Sequence, residues 1–154
     1  MKIKYKKVRK LKPIEASYIA GIIDGEGTIT LTRRHRDENR HIAVTIDNTD
    51  FDLIKSISKI IGAGGITKKN PSNSRDNIAY VFAIYSRQAL DLLAHIFPYL
   101  RTYKRERAKL TLMNYKKLTP RNGKYSPGIL KKREKFIRDF FSITPPQMKR
   151  ERKI

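Results

Sequence analysis

A chain of 154 residues with 39% hydrophobic content suffices for one domain with a hydrophobic core, and it contains no apolar run long enough to span a membrane. The absence of cysteine excludes disulfide bonds, a thiolate zinc site and a cysteine nucleophile. The 35 lysines and arginines against 14 acidic residues give a net charge of +21, and they are spread along the whole chain, which favours nucleic acid over a membrane surface as the partner.

The first predicted elements are a helix over residues 14–24 and a strand over residues 28–32. Pro13 is typical of a first helical turn, and Gly25 and Gly27 favour the end of that helix. After Gly27 the sequence alternates threonine with isoleucine or leucine. This period of two predicts a half-buried strand with its threonines on one face.

Two hairpins with a helix between them come next. The charged stretch 33–40 predicts the tip of the first hairpin, and residues 41–46 its returning strand. Apolar residues at helical spacing predict a helix over residues 51–61. Residues 66–69 and 78–84 then predict a second hairpin, because a stretch rich in turn-forming residues separates them.

Three further helices are predicted, over residues 86–97, 104–117 and about 128–141. The order of elements indicates an α+β fold in which helices pack on one face of an antiparallel, saddle-shaped sheet. The predicted organisation is a basic N-terminal arm (1–12), a single domain (13–142) and a basic C-terminal tail (143–154). Since the basic N-terminus leads into no uniformly apolar segment, we expect an intracellular protein, in the cytoplasm or in an organelle.

The face of the sheet away from the helices is predicted to be polar and cationic. A twisted antiparallel ribbon fits the DNA major groove, where threonine and arginine can bind base edges and phosphates. The predicted DNA-binding residues are Thr28, Thr30, Thr32, Arg34, Arg36, Thr45, Asp47, Thr67 and Lys69. The alternative is an ordinary solvated sheet face, as many antiparallel sheets have.

The most specific local pattern is Ile-Ala-Gly-Ile-Ile-Asp-Gly-Glu-Gly at residues 19–27. It resembles the signature of the LAGLIDADG homing endonucleases in its small residues, glycines and acids. The order of hairpin, helix, hairpin and helix that follows also resembles that family, so the likeness extends over residues 13–115. The resemblance implies an intron-encoded, metal-dependent nuclease that cuts duplex DNA.

The motif helix carries small side chains on one face, which would let a second helix backbone approach closely. Those side chains are Ser17, Ala20, Gly21 and Asp24. Because the sequence holds no second Asp-Gly-Glu-Gly, we expect a two-fold homodimer and a near-palindromic DNA target. The alternative is that Gly21 packs against the core of its own chain.

Glu26, expected just past the helix end, stands where the resemblance places the metal-binding acid. Two such carboxylates, one from each subunit, would hold Mg²⁺ or Mn²⁺ together with water and phosphate oxygens. Such an ion lowers the pKa of a bound water and neutralises charge on the leaving oxygen. Without the resemblance, Asp-Gly-Glu-Gly would be more typical of a tight turn than of a metal site.

Two further catalytic residues follow from the resemblance. Lys104 matches a basic residue that stabilises charge on the phosphate, although Arg101 and Arg105 are close enough in sequence to be confused with it. Asn48 matches an amide that organises water in the active site. Asp47 is its neighbour, and a shift of one residue in the alignment would exchange the two. The alternative role for Asn48, which Thr49 shares, is to cap the helix over residues 51–61.

The predicted function is site-specific hydrolysis of double-stranded DNA by a symmetric dimer, with each subunit cutting one strand. Two alternatives share the fold: a maturase that binds intron RNA, and a DNA-binding regulator without catalysis. Glu26 together with Lys104 favours the enzyme over both.

Overall fold

The computed structural model describes residues 5–147. In chain order its elements are α1 (Pro13–Glu26), β1 (Gly27–Thr32), β2 (His41–Asn48), α2 (Phe51–Ile61), β3 (Gly65–Lys69), β4 (Ala79–Tyr85), α3 (Ser86–Ile96), a 3-10 turn (Phe97–Tyr99), α4 (Tyr103–Asn114) and α5 (Pro127–Ser142). The predicted α+β class and the order of the elements are confirmed.

The four strands form one antiparallel sheet in the order β1-β2-β4-β3. Both predicted hairpins are present, and pairing of β2 with β4 joins them into one sheet. One row of paired residues runs across all four strands, from Thr28 to Thr45 to Ala83 to Gly65. Because paired residues point to the same side of a sheet, this register fixes which side chains share a face.

The core lies between the sheet and the helices. Ile42, Val44 and Ile46 alternate along β2 and are buried on the inner face, together with Phe82 and Ile84 of β4. Helices α1, α2 and α3 contribute isoleucines, leucines and alanines to the same cluster. The opposite face of the sheet carries no helix within the described part of the chain, which leaves it free to meet a partner.

Helix α1 is longer than predicted, because Gly25 stays helical and Glu26 is the last residue of the helix rather than the first beyond it. Helix α2 has the predicted bounds, but its cap is Asp50, whose carboxylate accepts from Leu53 N–H at 3.1 Å. Neither Asn48 nor Thr49 is that cap, so the predicted capping role of Asn48 is wrong.

The stretch before α1 packs against the domain where it is described. Val8 and Leu11 are buried in the core, and Arg9 N–H donates to the Ile61 carbonyl at 2.9 Å. Residues 1–4 of the predicted arm and residues 148–154 of the predicted tail lie outside the described residues. None of the helices between residues 5 and 147 has the length and apolar composition needed to cross a bilayer.

Candidate active site and nucleic-acid interface

Glu26 and Asn48 meet where α1 and β2 end. The Asn48 amide donates to Glu26 Oε2 at 2.7 Å, while its Oδ1 accepts from Asp50 N–H at 2.8 Å. Asn48 is therefore held from both sides, and it holds the carboxylate in turn. The exposed carboxylate keeps its second oxygen for another partner.

Asp47 points the other way, because successive residues of a strand face opposite sides of the sheet. Its carboxylate lies 3.7 Å from Lys69 Nζ on the outer face. The structure thus brings Asn48, and not Asp47, to Glu26.

Gly27 makes the abrupt change from helix to strand possible. A Cβ atom added at Gly27 would lie 2.7 Å from Ile23 Cα, which is closer than real side chains come to backbone. The φ angle of Gly27 is −85°, so the requirement for glycine is one of space and not of backbone conformation. This close approach places Glu26 at the edge of the sheet.

Lys104 lies at the same end of α1. Its ammonium donates to the carbonyls of Ile23 and Asp24, in the last turn of α1, at 2.7 and 2.9 Å. The Ile23 carbonyl also accepts from the Gly27 N–H, so the ammonium is a second donor there. A carboxylate such as Glu26 is unfavourable at the negative end of a helix dipole, and the ammonium offsets that cost. Burial is the main cause that lowers the pKa of Lys104, and Arg107 adds to it against the opposing effect of Asp24.

Asp24 completes a reciprocal contact between α1 and α4. Its carboxylate accepts from Arg101 N–H at 2.8 Å and from Thr102 N–H at 3.2 Å, just before the first turn of α4. The Thr102 hydroxyl donates to the same carboxylate at 2.6 Å. An acid at the start of α4 and an ammonium at the end of α1 each complement a helix dipole, so this pair fixes Lys104 relative to Glu26.

Only part of the predicted dimer interface is exposed. Ala20 is fully buried in the core of its own chain and offers no surface to a partner. Asp24 is half-buried, and its carboxylate accepts hydrogen bonds from the residues before α4, so its predicted interface role stays a prediction. Ser17 and Gly21 do lie on the exposed face of α1. With neighbours on α1 and α2 they line a shallow groove, made of Ser17, Tyr18, Gly21, Ile22, Gly25, Glu26 and Leu53.

The exposed face of α1 is more apolar than predicted. Ile14 is 78% exposed and Tyr18 is 47% exposed, and both stand on the stripe that continues through Gly21 and Gly25. Sequence reasoning missed these two residues, although their spacing of four, offset from that of Ile19 and Ile23, signals a second apolar stripe.

The two glycines of this stripe have no packing role inside the chain. A Cβ atom added at Gly21 or at Gly25 would meet nothing within 4 Å. Glycine inside a helix costs about 1 kcal/mol relative to alanine. The alternative that Gly21 packs against its own core is therefore wrong, and the space above the glycines is open to another helix.

The outer face of the sheet holds most of the predicted DNA-binding residues. The register places Thr28, Thr30, Thr32, Thr45, Asp47, Thr67 and Lys69 on that face. Five of these seven are threonine, which can donate and accept hydrogen bonds without carrying charge.

Arg34 and Arg36 do not belong to the sheet face, because β1 ends at Thr32 and both arginines lie in the exposed loop of residues 33–40. That loop stands at the end of the outer face where His41 packs edge-on against Tyr85. Burial, followed by the charge of Arg34, lowers the pKa of His41, which favours the neutral imidazole.

The donor set at Glu26 suits a hard divalent cation. Carboxylate oxygens are ligands that Mg²⁺ and Mn²⁺ accept readily, and Mg²⁺ keeps several waters when few protein ligands are available. Between residues 5 and 147 the chain has no cluster of three acidic or histidine side chains that could hold a metal ion alone. A second copy of Glu26 and phosphate oxygens would supply the missing ligands.

A family model and several solved structures match this chain. The family model described as LAGLIDADG endonuclease matches residues 19–119. The homing endonuclease I-CvuI, solved in complex with its target in the presence of Ca, is similar in structure with a TM-score of 0.71 and 21% identity, over 89% of this chain and 86% of that one. The archaeal intron-encoded homing endonuclease I-Vdi141I, complexed with DNA, matches with a TM-score of 0.60 and 15% identity, over 89% of this chain and 88% of that one. I-GzeII, a LAGLIDADG homing endonuclease in complex with its DNA target, matches with a TM-score of 0.56 and 18% identity, over 90% of this chain but only 52% of the I-GzeII chain.

Proposed function

The chain belongs to the LAGLIDADG endonuclease family, and from this we propose that it cuts double-stranded DNA at a near-palindromic site, as a symmetric dimer that uses a divalent cation. The observation that carries the proposal is the end of α1. Three features lie there within one or two helical turns of each other. They are the exposed Glu26 carboxylate held by Asn48, the Lys104 ammonium held by backbone carbonyls, and the open glycine stripe of Gly21 and Gly25.

Two copies related by a two-fold axis would bring their α1 stripes together. The open space above Gly21 and Gly25 and the exposed Ile14 and Tyr18 support this arrangement. This chain matches 52% of the I-GzeII chain, which supports an assembly of two such units. In that assembly the two Glu26 carboxylates approach each other beside the axis.

Glu26 from each copy would hold Mg²⁺ or Mn²⁺, which supplies an activated water and neutralises charge on the scissile phosphate. Asn48 fixes the orientation of the carboxylate through its 2.7 Å hydrogen bond. The Lys104 ammonium has three N–H groups and donates two of them to carbonyls, so one remains for a water or a phosphate oxygen. The expected products carry 5′-phosphate and 3′-hydroxyl ends with short 3′ overhangs.

The threonine-rich outer face of the sheet would read the DNA. Its polar side chains suit base edges in the major groove, while the arginines of the loop at residues 33–40 suit phosphates and guanines. Two copies of this face, one on each side of the axis, would contact two halves of a near-palindromic target.

The test is cleavage of a randomised duplex library with Mg²⁺, with Ca²⁺ as a binding-only control and sequencing of the cut ends. We expect discrete cuts in a near-palindromic sequence. Binding without cleavage under every metal would instead support a regulator, and specific affinity for intron RNA would support a maturase.

Glu26→Gln isolates the role of the carboxylate in the same assay. We expect a loss of cleavage of at least about 100-fold with DNA binding retained, because a neutral amide is a poor ligand for a hard cation. Glu106→Gln makes the same change in charge at an exposed position of α4 and serves as the control. An unchanged cutting rate for the Glu26 variant would overturn the assignment.

A further inference from the structure

Arg133 is a buried cation on α5. Its side chain is 3% exposed, and its guanidinium donates to the Leu118 carbonyl at 2.6 Å and to the Thr119 hydroxyl at 2.8 Å. A third hydrogen bond, of 2.7 Å, reaches the Arg40 carbonyl, 93 residues away in the sequence. None of these partners is a carboxylate. The guanidinium also lies 5.2 Å from the centre of the Tyr125 ring. Burying a cation without a carboxylate partner remains costly, which points to a use beyond joining α5 to the residues before it.

The contact with Arg40 reaches the loop of residues 33–40, where Arg40 is the last residue before β2. The Arg40 guanidinium donates to the Leu31 carbonyl at 3.1 Å across the hairpin. It also lies 5.2 Å from the centre of the Phe141 ring, near the end of α5. Helix α5 thus holds Arg40 twice, by Arg133 at the backbone and by Phe141 at the side chain.

The remainder of this loop is exposed and polar. Arg33 donates to the Arg36 carbonyl. Because both residues belong to the loop, this hydrogen bond does not hold the loop against the sheet. The pairing of Thr32 with His41 ties both ends of the loop to the sheet, and the contacts of Arg40 with α5 fix the loop further. Exposed polar loops without such anchors sample several conformations.

We propose that Arg133 is a positioning residue for DNA specificity, which acts by fixing the loop at residues 33–40 against the end of the sheet. This inference rests on the proposed function, because it requires that the loop and the outer sheet face meet DNA. The loop lies at the far end of β1 from Glu26, so it would meet bases in the outer part of each half-site. Arg133 therefore controls outer base preference while it leaves the chemistry at Glu26 unchanged.

The experiment compares base preference, position by position, for the wild type, Arg133→Met and Arg138→Met. Arg138 is exposed on the same helix, so its variant makes the same change in charge without touching the loop. For Arg133→Met we expect discrimination at outer positions to fall by about 10-fold, the scale of one lost base contact. Three properties should stay as in the wild type. They are the base preference at central positions, the metal requirement, and the cutting rate on a target whose outer bases the variant accepts.

Phe141→Ala provides a second variant in case Arg133→Met does not fold. Phe141 is 38% exposed and packs edge-on against the buried Phe140, so its loss removes the side-chain anchor of Arg40 together with one contact to the core. It should relax the same outer positions. Unchanged outer preference in a folded variant, or an equal loss at all positions, would overturn the inference. If the wild type binds DNA but never cuts it, the proposed function fails while base preference measured by binding still tests the role of Arg133.

Discussion

The Asn48 amide donates to one oxygen of the Glu26 carboxylate and so orients the proposed metal ligand. Partners that orient a metal ligand typically contribute 10- to 100-fold to metal affinity or activity. We therefore expect Asn48→Ala to raise the concentration of Mg²⁺ needed for half-maximal cleavage by about 10-fold or more. Asp47→Asn is the control, because Asp47 lies on the other side of the same strand beside Lys69. A larger effect from Asp47 than from Asn48 would reverse the assignment.

Burial of Lys104 makes the free energy of unfolding depend on pH. Its pKa is lowered from the usual 10.5 in the folded protein, mainly by burial. Between the lowered pKa and 10.5 the unfolded chain binds more protons than the folded one, so the free energy of unfolding rises with pH across that window. At lower pH the full cost of burying the ammonium is present.

Lys104→Met removes this titration while it keeps much of the apolar side chain. The free energy of unfolding of the wild type, minus that of the variant, should increase as pH rises toward 10.5. Urea unfolding at several pH values measures that difference. Lys109→Met, which removes a charge from an exposed position of the same helix, is the control. A flat or falling difference for Lys104 would show that its ammonium is not desolvated in solution.

At the scale of elements, the junction of α1 with β1 is the tightest feature of the site. Gly27→Ala would push a methyl group against Ile23 Cα, so the helix or the strand must shift. We expect a loss of about 1–3 kcal/mol in the free energy of unfolding, together with reduced cleavage because Glu26 moves. Gly25→Ala, two residues earlier, meets open space and should stabilise the isolated chain by up to about 1 kcal/mol. Denaturant unfolding of both variants distinguishes a steric need from a general preference for glycine.

Patterns that repeat within one element were sufficient to predict that element. Helix α2 was predicted with correct bounds because its apolar spacing is regular and Gly62 follows it in a left-handed conformation. The end of β1 at Thr32 was also predicted correctly. Arg34 and Arg36 were nevertheless placed on the sheet face, because the alternation of the strand was continued into the loop, where it no longer decides which way a side chain points.

Contacts between distant elements were beyond the sequence. The motif led to Glu26, and to Asn48 and Lys104 by resemblance, but no local pattern announces that Asp24 accepts from the start of α4. The same holds for Arg133, which in the sequence is one of many basic residues on α5. Such roles depend on which helix ends meet in space, and that is set by the packing of the core.

At the scale of the whole molecule, the net charge opposes dimer formation, whereas the exposed apolar stripe of α1 favours it. Each copy carries a net charge of +21, so two copies repel each other at low ionic strength. The apolar stripe of α1 must outweigh that repulsion unless DNA neutralises it. Association in the absence of DNA should therefore strengthen as salt is added, whereas binding to DNA should weaken with salt.

Gly21→Leu separates folding from assembly. The added side chain meets open space within one chain, so the variant should fold with at least the stability of the wild type. In the proposed dimer the same side chain would stand between two α1 backbones and keep them apart. We expect sedimentation at high salt to show a dimer for the wild type and a monomer for the variant, with cleavage lost in parallel. Ala94→Leu places the same side chain at an exposed position of α3 and should stay dimeric and active. A dimeric, active Gly21→Leu would mean that α1 does not form the interface, and the two Glu26 carboxylates would then have no route to a shared site.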